Sequence, residues 1–144
     1  QKLLPNDWLQ NVENFLSHFS ITEFKTDHPV FLHADLTFDH FLISTTDDPK
    51  ICGIIDMADC QVGHPEYDLI AVCAFLLKGQ TELLQKYLTS YGFTQSELNT
   101  KLSEKLLAWC LLNRYYSFIT YFKTELETVS AGDFKELAKI VFPL

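Results

Sequence analysis

The stretch Phe31-Leu32-His33-Ala34-Asp35-Leu36-Thr37-Phe38-Asp39-His40-Phe41-Leu42-Ile43 decides how this chain reads, together with two segments downstream. The first is Gly53-Ile54-Ile55-Asp56-Met57-Ala58-Asp59, and the second is Gly63-His64-Pro65-Glu66-Tyr67-Asp68. His33-x-Asp35 interrupts two apolar runs, which predicts a polar loop held by core-directed neighbours on both sides. Asp56 follows Ile54 and Ile55, so it is expected where a buried strand ends. Gly63-x-Pro65-x-x-Asp68 predicts a turn entering a helix, because proline suits the first helical position and acids suit the first turn.

Working outward, Val30–Leu32 reads as a short strand leading into the His33-x-Asp35 loop. Phe41–Ser44 and Ile51–Ile55 read as a hairpin joined by Thr45-Thr46-Asp47-Asp48-Pro49-Lys50, a hexamer rich in turn formers. The two carboxylates, Asp35 and Asp56, are therefore expected at the mouth of this hairpin. Before it, Asn6 and Asp7 can cap a first helix with Trp8, Val12, Phe15, Leu16 and Phe19 on one face, followed by a loop to Pro29. After it the pattern is helical. One helix is expected from Pro65 to about Lys78, stopping at Gly79, and another from about Thr81 to Tyr91, stopping at Gly92. Thr94-Gln95-Ser96-Glu97 has the form of a capping box and predicts a long helix through about Lys123, with Leu98, Leu102, Leu106, Trp109, Cys110 and Asn113 on its face. A last helix, about Gly132 to Val141, places Phe134, Leu137, Ala138 and Val141 on one stripe. The expected class is α+β, mostly α: one domain over residues 1–144 with a small inset β-hairpin.

Composition narrows the function. The 144 residues are 47% hydrophobic, with 12 Phe and 6 Tyr, which suits a packed core and argues against disorder. No apolar run reaches the roughly 18–20 residues needed to cross a membrane, and Gln1–Pro5 has no signal-peptide pattern. A net charge of −8 disfavours nucleic acid as a partner, since phosphate backbones are bound by basic patches. It suits a cationic or neutral small-molecule substrate better. Cys52, Cys60, Cys73 and Cys110 show no C-x-x-C spacing and read as reduced core thiols of a cytoplasmic protein.

The three quoted segments resemble the catalytic and metal-binding segments of the aminoglycoside phosphotransferase and choline kinase-like family, relatives of the protein kinases. The resemblance is moderately specific over residues 31–68 and only general beyond. It implies a protein-kinase-like C-terminal lobe, with ATP and Mg2+ as cofactors and a small-molecule hydroxyl as phosphoryl acceptor. It implies that Asp35 orients the hydroxyl nucleophile and that Asp56 holds the metal, with Asp59 a nearby competitor. It also implies that His33 packs under the metal-binding segment and that Asp68 holds the catalytic loop by hydrogen bonds. The acceptor would bind among the helices after Gly79. Phosphoryl transfer depends on this kind of positioning and charge neutralisation.

The chain departs from the family pattern at two positions. The motif H-x-D-x-x-x-x-N has a metal-ligating asparagine where this chain has His40, and imidazole is a poor magnesium ligand that prefers softer ions. His64 stands where the turn has aspartate. The five glycines form no G-x-G-x-x-G loop, and no V-A-I-K lysine precedes His33. With Gln1 first and Met57 the only methionine, the expectation is a piece of a longer protein whose N-terminal nucleotide lobe, or another fused domain, lies elsewhere. Two functional readings stay open: a catalytic lobe, or a degraded kinase-fold remnant serving as a binding or regulatory module. A third, in which His33, Asp35, His40, Asp56 and His64 form a site for zinc, manganese or iron, leaves the Gly63–Asp68 turn without a role.

Overall fold

A computed structural model describes residues 4–113 and 117–144. It is mostly helical, with two small antiparallel two-stranded sheets among the described residues. In chain order the elements are α1 (Asn6–Leu16), β1 (Val30–Leu32), β2 (Phe41–Ile43), β3 (Ile51–Ile54), β4 (Gln61–Gly63), α2 (Leu69–Ala71), α3 (Thr81–Tyr91), α4 (Thr100–Leu112), α5 (Phe118–Leu126) and α6 (Phe134–Val141).

The core lies on the helical side. Helix α4 packs against α6, and Leu106, Leu107, Leu137, Ala138 and Val141 are all buried. Burial of that apolar area is the main stabilising contribution of this part of the molecule. Helix α1 brings Trp8 and Phe15 onto Phe134 of α6, each with ring centroids 5.1 Å apart. The one buried hydroxyl of α4, on Ser103, donates to the Phe142 carbonyl at 2.7 Å and ties α4 to the end of α6.

Two strand ladders position the loops. β1 pairs with β4 (Val30↔Gly63, Leu32↔Gln61), and β2 pairs with β3 inside that connection (Phe41↔Ile54, Ile43↔Ile51). The Gln61–Gly63 strand was not expected: its only apolar residue is Val62, and three residues carry too little alternation to read. Gly63 suits the pairing because a Cβ there would come within 2.9 Å of the Leu32 side chain.

Several expected boundaries moved. The segment from Pro65 does form a continuous helical run, but as a 3-10 turn (Pro65–Asp68), one α turn (α2) and a π segment (Val72–Leu76). The long helix expected from Thr94 does not exist as one element. Glu97 accepts from the Thr94 N–H at 2.7 Å, closing a local turn, while α4 starts at Thr100, where Asn99 Oδ1 accepts from Lys101 and Leu102. Helix α4 ends at Leu112 and α5 begins at Phe118; residues 114–116 lie outside the described residues. Asn99 is the better cap because its side chain meets two free N–H groups at once. Helix α1 is capped by no side chain, starts after Pro5 and stops at Leu16, before Phe19. The expected loop to Pro29 contains a 3-10 turn, Ile21–Phe24, with a Ser20/Glu23 capping box. The last helix starts at Phe134, with Asp133 as its cap. Cys73 and Cys110 are buried as expected, with burial raising the Cys73 thiol to about 12. Cys52 and Cys60 are exposed, because Cys52 sits on β3 and Cys60 in the loop before β4, outside the helical core. Among the described residues no helix is long and apolar enough to cross a membrane.

Candidate functional site

The strand registers explain how distant residues meet. β1 ends at Leu32 and delivers His33, Ala34 and Asp35 to the loop before β2. Because Phe41 pairs with Ile54, the residue before Phe41 meets the residue after Ile54. The Ile55 N–H accordingly donates to the His40 carbonyl at 3.0 Å, and Asp56 is brought beside His40.

The loop's backbone is held from outside. The Asp68 carboxylate accepts from the His33 N–H at 2.8 Å and from the Ala34 N–H at 2.7 Å. Ala34 sits in the left-handed region at φ 68°, where a Cβ costs about 1–2 kcal/mol. Two charge-assisted hydrogen bonds offset that strain. The His33 ring is buried. Its Nδ1 accepts from the Asp35 N–H at 3.3 Å, so Nε2 carries the proton and donates to the Ile55 carbonyl at 2.8 Å. That bond ties the loop to the residue preceding Asp56.

Asp56 also has a positive φ, 63°. This turns the chain away from the ladder and leaves the carboxylate over half exposed. The run before it is not a buried strand as expected. Ile54 and Ile55 are 49% and 44% exposed, because β2 and β3 form a two-stranded ladder with no third strand among the described residues.

His40 stands between the two carboxylates. Its Nδ1 lies 2.6 Å from the Asp35 carbonyl and 3.5 Å from Asp35 Oδ2. Its Nε2 lies 3.5 Å from Asp56 Oδ2. The hydrogen bond to the Asp35 carbonyl raises the imidazole above its ordinary value, and the carboxylates of Asp35, Asp56 and Asp39 add to the rise against the opposing effect of burial. The Asp35 carbonyl also accepts from the Thr37 N–H at 2.8 Å, which tightens the loop.

The loop divides two surfaces. Asp35, Thr37 and Asp39 face an open cleft of about 530 Å3, shared with His40, Asp59 and Tyr121. Leu36 and Phe38 face an apolar groove of about 570 Å3, shared with Phe41, Ile43, Ile51 and Ile54 of the ladder and with Leu76 and Leu83. Thr37, Asp39 and Tyr121 were not anticipated. The alternation 35, 37, 39 was available as a signal for the first two; Tyr121 arrives from α5, far along the chain, with no local signal. His64, by contrast, lies apart from the cleft. Its Nδ1 accepts from the Glu66 N–H at 3.2 Å, its ring lies against Trp109, and burial lowers its proton affinity. Among the described residues, no group of three or more His, Cys, Asp or Glu side chains is placed to hold a metal ion. The zinc-type cluster of His33, Asp35, His40, Asp56 and His64 is therefore not formed, and His33 and His64 use their ring nitrogens on backbone groups.

Chemically, the arrangement offers an exposed carboxylate (Asp56), a second carboxylate 30% exposed (Asp35) and an imidazole between them. Comparison with known proteins finds no match among curated proteins and none among solved structures. Residues 3–101 match the phosphotransferase enzyme family. That match takes in α1, both strand ladders, the Gly63–Asp68 turn and α3, and on it the chain belongs to the phosphotransferase enzyme family.

Proposed function

We propose that this chain is the catalytic lobe of an ATP-dependent phosphotransferase that acts on a small-molecule hydroxyl. The observation that carries the reading is the linkage of the three motif segments. Asp68 holds the His33 and Ala34 amides, and the His33 ring holds the carbonyl before Asp56. Such linkage fixes two carboxylates relative to one another, and positioning of this kind supplies much of the acceleration in phosphoryl transfer.

In this reading Asp35 accepts a hydrogen bond from the substrate hydroxyl and orients its oxygen toward the γ-phosphate. Asp56 is the metal-holding residue. Its oxygens are the donor type that a hard divalent cation takes, and magnesium commonly binds only one or two protein carboxylates. When bound, magnesium neutralises charge on the nucleotide phosphates. His40 replaces an asparagine of the family pattern. With Nδ1 committed to the Asp35 carbonyl, Nε2 is the ring atom left to meet a metal or a phosphate oxygen. His33 and Asp68 support the loop. The acidic lining of the cleft by Asp35, Asp39 and Asp59 supports an acceptor with a cationic group.

The nucleotide lobe is proposed to come from additional chain, an N-terminal lobe or fused domain. Phe31 and Val62 are cross-strand partners that are 62% and 70% exposed, and Leu42, Ile55 and Met57 are also exposed. Exposed apolar residues on and beside the strand ladders suit coverage by another domain. The second reading, a degraded remnant that binds rather than catalyses, is favoured by His40, whose imidazole lies against the proposed metal carboxylate, and by the lack of a glycine loop and strand lysine in these 144 residues.

The test is ATP-dependent phosphorylation of a panel of amino alcohols and sugars by the protein carrying this chain with its nucleotide lobe. Asp35→Asn keeps the shape and removes the charge, and kcat is expected to fall about 100-fold or more, or roughly 3 kcal/mol. Asp56→Asn is expected to weaken the magnesium dependence as well. Near wild-type kcat in both variants would reject the assignment, and no turnover by the wild type would favour the remnant.

A further inference from the structure

The Gly63–Asp68 turn carries a second side chain whose contacts the loop-holding role of Asp68 does not explain. Glu66 is only 16% exposed and receives Lys105 Nζ at 2.9 and 2.7 Å on its two oxygens. It also receives the Trp109 indole N–H at 3.1 Å. Both donors lie on α4, whose other face is packed on α6. The neighbouring residues of the turn lean on the same helices: the Tyr91 hydroxyl of α3 donates to the Pro65 carbonyl at 3.0 Å, and the Tyr67 and His64 rings lie against Trp109.

A first-turn acid on a short 3-10 segment needs none of this. Helix-dipole interaction asks only for exposure near the N-terminus and contributes about 0.3–1 kcal/mol. Glu66 instead turns toward the helical core and takes three donor contacts, while Asp68, two residues on, turns the other way to the His33 and Ala34 amides. A rigid 3-10 turn with Pro65 at its start joins the two carboxylates.

We propose that Glu66 is a positioning residue for the loop bearing Asp35: anchored by Lys105 and Trp109, it fixes the turn that aims Asp68 at that loop. Its functional meaning rests on the phosphotransferase reading; the mechanical link does not. The path runs from α4 through Glu66, along the turn to Asp68, and through two amides to Asp35. The helical domain thereby sets the geometry of the reactive loop at a point where the strand ladders alone leave it loose.

Amide hydrogen exchange at His33 and Ala34 reads the link directly, since their N–H groups end on Asp68. In Glu66→Ala these two amides are expected to exchange about tenfold faster, equivalent to about 1.4 kcal/mol, while core amides of α4 and α6 stay within about twofold. Glu66→Gln keeps an acceptor for Trp109 and is expected to fall between wild type and Glu66→Ala. Should Glu66→Ala not fold, Trp109→Phe removes the indole N–H while keeping an aromatic ring against His64 and Tyr67, and is expected to give about a fivefold acceleration at the same two amides. Unchanged exchange at His33 and Ala34, with Asp68→Asn accelerating them, would overturn the proposal. So would a uniform acceleration of all amides, which is what a purely global loss of stability produces. Where the two-lobed protein turns over, Glu66→Ala is expected to lower kcat with KM for ATP held. Absence of turnover in the wild type would count against the phosphotransferase reading, and the exchange result would still decide the link.

Discussion

Replacing Asp68 separates two physical accounts of that residue. As a first-turn acid it interacts with the peptide dipoles of the Pro65–Asp68 segment, and its loss would cost about 0.3–1 kcal/mol. As the acceptor for the His33 and Ala34 amides, at 2.8 and 2.7 Å, it makes two charge-assisted bonds. Each such bond contributes about 1.5–3 kcal/mol, and a buried donor left without an acceptor carries its own penalty. His33 and Ala34 are 6% and 5% exposed, so water cannot readily replace the carboxylate. Asp68→Ala is therefore expected to destabilise by about 3–5 kcal/mol. Asp68→Asn retains one acceptor oxygen but turns an NH2 toward the other amide, and is expected to cost about 1.5–3 kcal/mol. Urea unfolding, with both variants and the wild type at the same pH, gives the two values. The order matters as much as the size, because the dipole account predicts nearly equal small losses for Ala and Asn. A loss below about 1 kcal/mol in Asp68→Ala would refute the view that this carboxylate holds the loop.

Three further outcomes are expected. Ala34→Gly removes a Cβ from a left-handed position and should stabilise by about 0.5–1 kcal/mol in the same urea assay; a loss would mean that the buried methyl contributes more than the strain costs. His40 should titrate by NMR above 6.5 and His64 below it. With its folded value raised, His40 contributes stability that is fully present below about 6.5 and is lost as pH rises through that raised value; His40→Asn should remove this fall, and a pH profile unchanged by the substitution would reject the contacts described for the ring. The 144-residue chain by itself is expected to show negligible phosphoryl transfer and weak ATP binding, because it carries neither a glycine loop nor a strand lysine; steady ATP turnover by it would overturn the division into lobes.

The legible part of the molecule was its local chemistry. Glycine stops after the second and third helical segments, the proline at the turn, and the apolar stripe of the last helix all act within a few residues, so Gly79, Gly92, Pro65 and Phe134–Val141 could be read directly. The His33-x-Asp35 loop was legible for the same reason: polar residues between Leu32 and Leu36 have few ways to fold. Illegible were the features decided by competition or distance. Thr94 and Glu97 satisfied each other as a closed turn, and Asn99 took the cap of α4, a choice between two good capping sequences that local pattern does not rank. β4 emerged only because β1 lay unpaired beside it. The exposure of Ile54 and Ile55 followed from a two-stranded ladder with an open face, whereas an apolar run by itself suggests burial. Lys105 and Trp109 read as one polar and one apolar residue of a helix, and nothing nearby announced Glu66 as their common acceptor.

The candidate site shows why residue type and spacing carry part of a functional argument and topology carries the rest. Asp35 follows a strand of one ladder and Asp56 a strand of the other, and no local rule sets them on either side of the His40 ring. They come together because β2–β3 is inserted within the β1–β4 connection and because Phe41 pairs with Ile54. A slip of one residue in that pairing would turn the ladder's side chains to opposite faces and carry Asp56 away from His40. The ladder is short and bulged between Leu42 and Ile43, so its own pairing is a weak guarantee of register. The stronger constraints lie outside it: the His33 ring on the Ile55 carbonyl and the Asp68 carboxylate on the loop amides. Each of these bonds joins a backbone group to a residue in another motif segment. The spacing of the three segments thus matters for which backbone groups can be reached, and His33 and Asp68 act on the site by fixing where Asp35 and Asp56 stand.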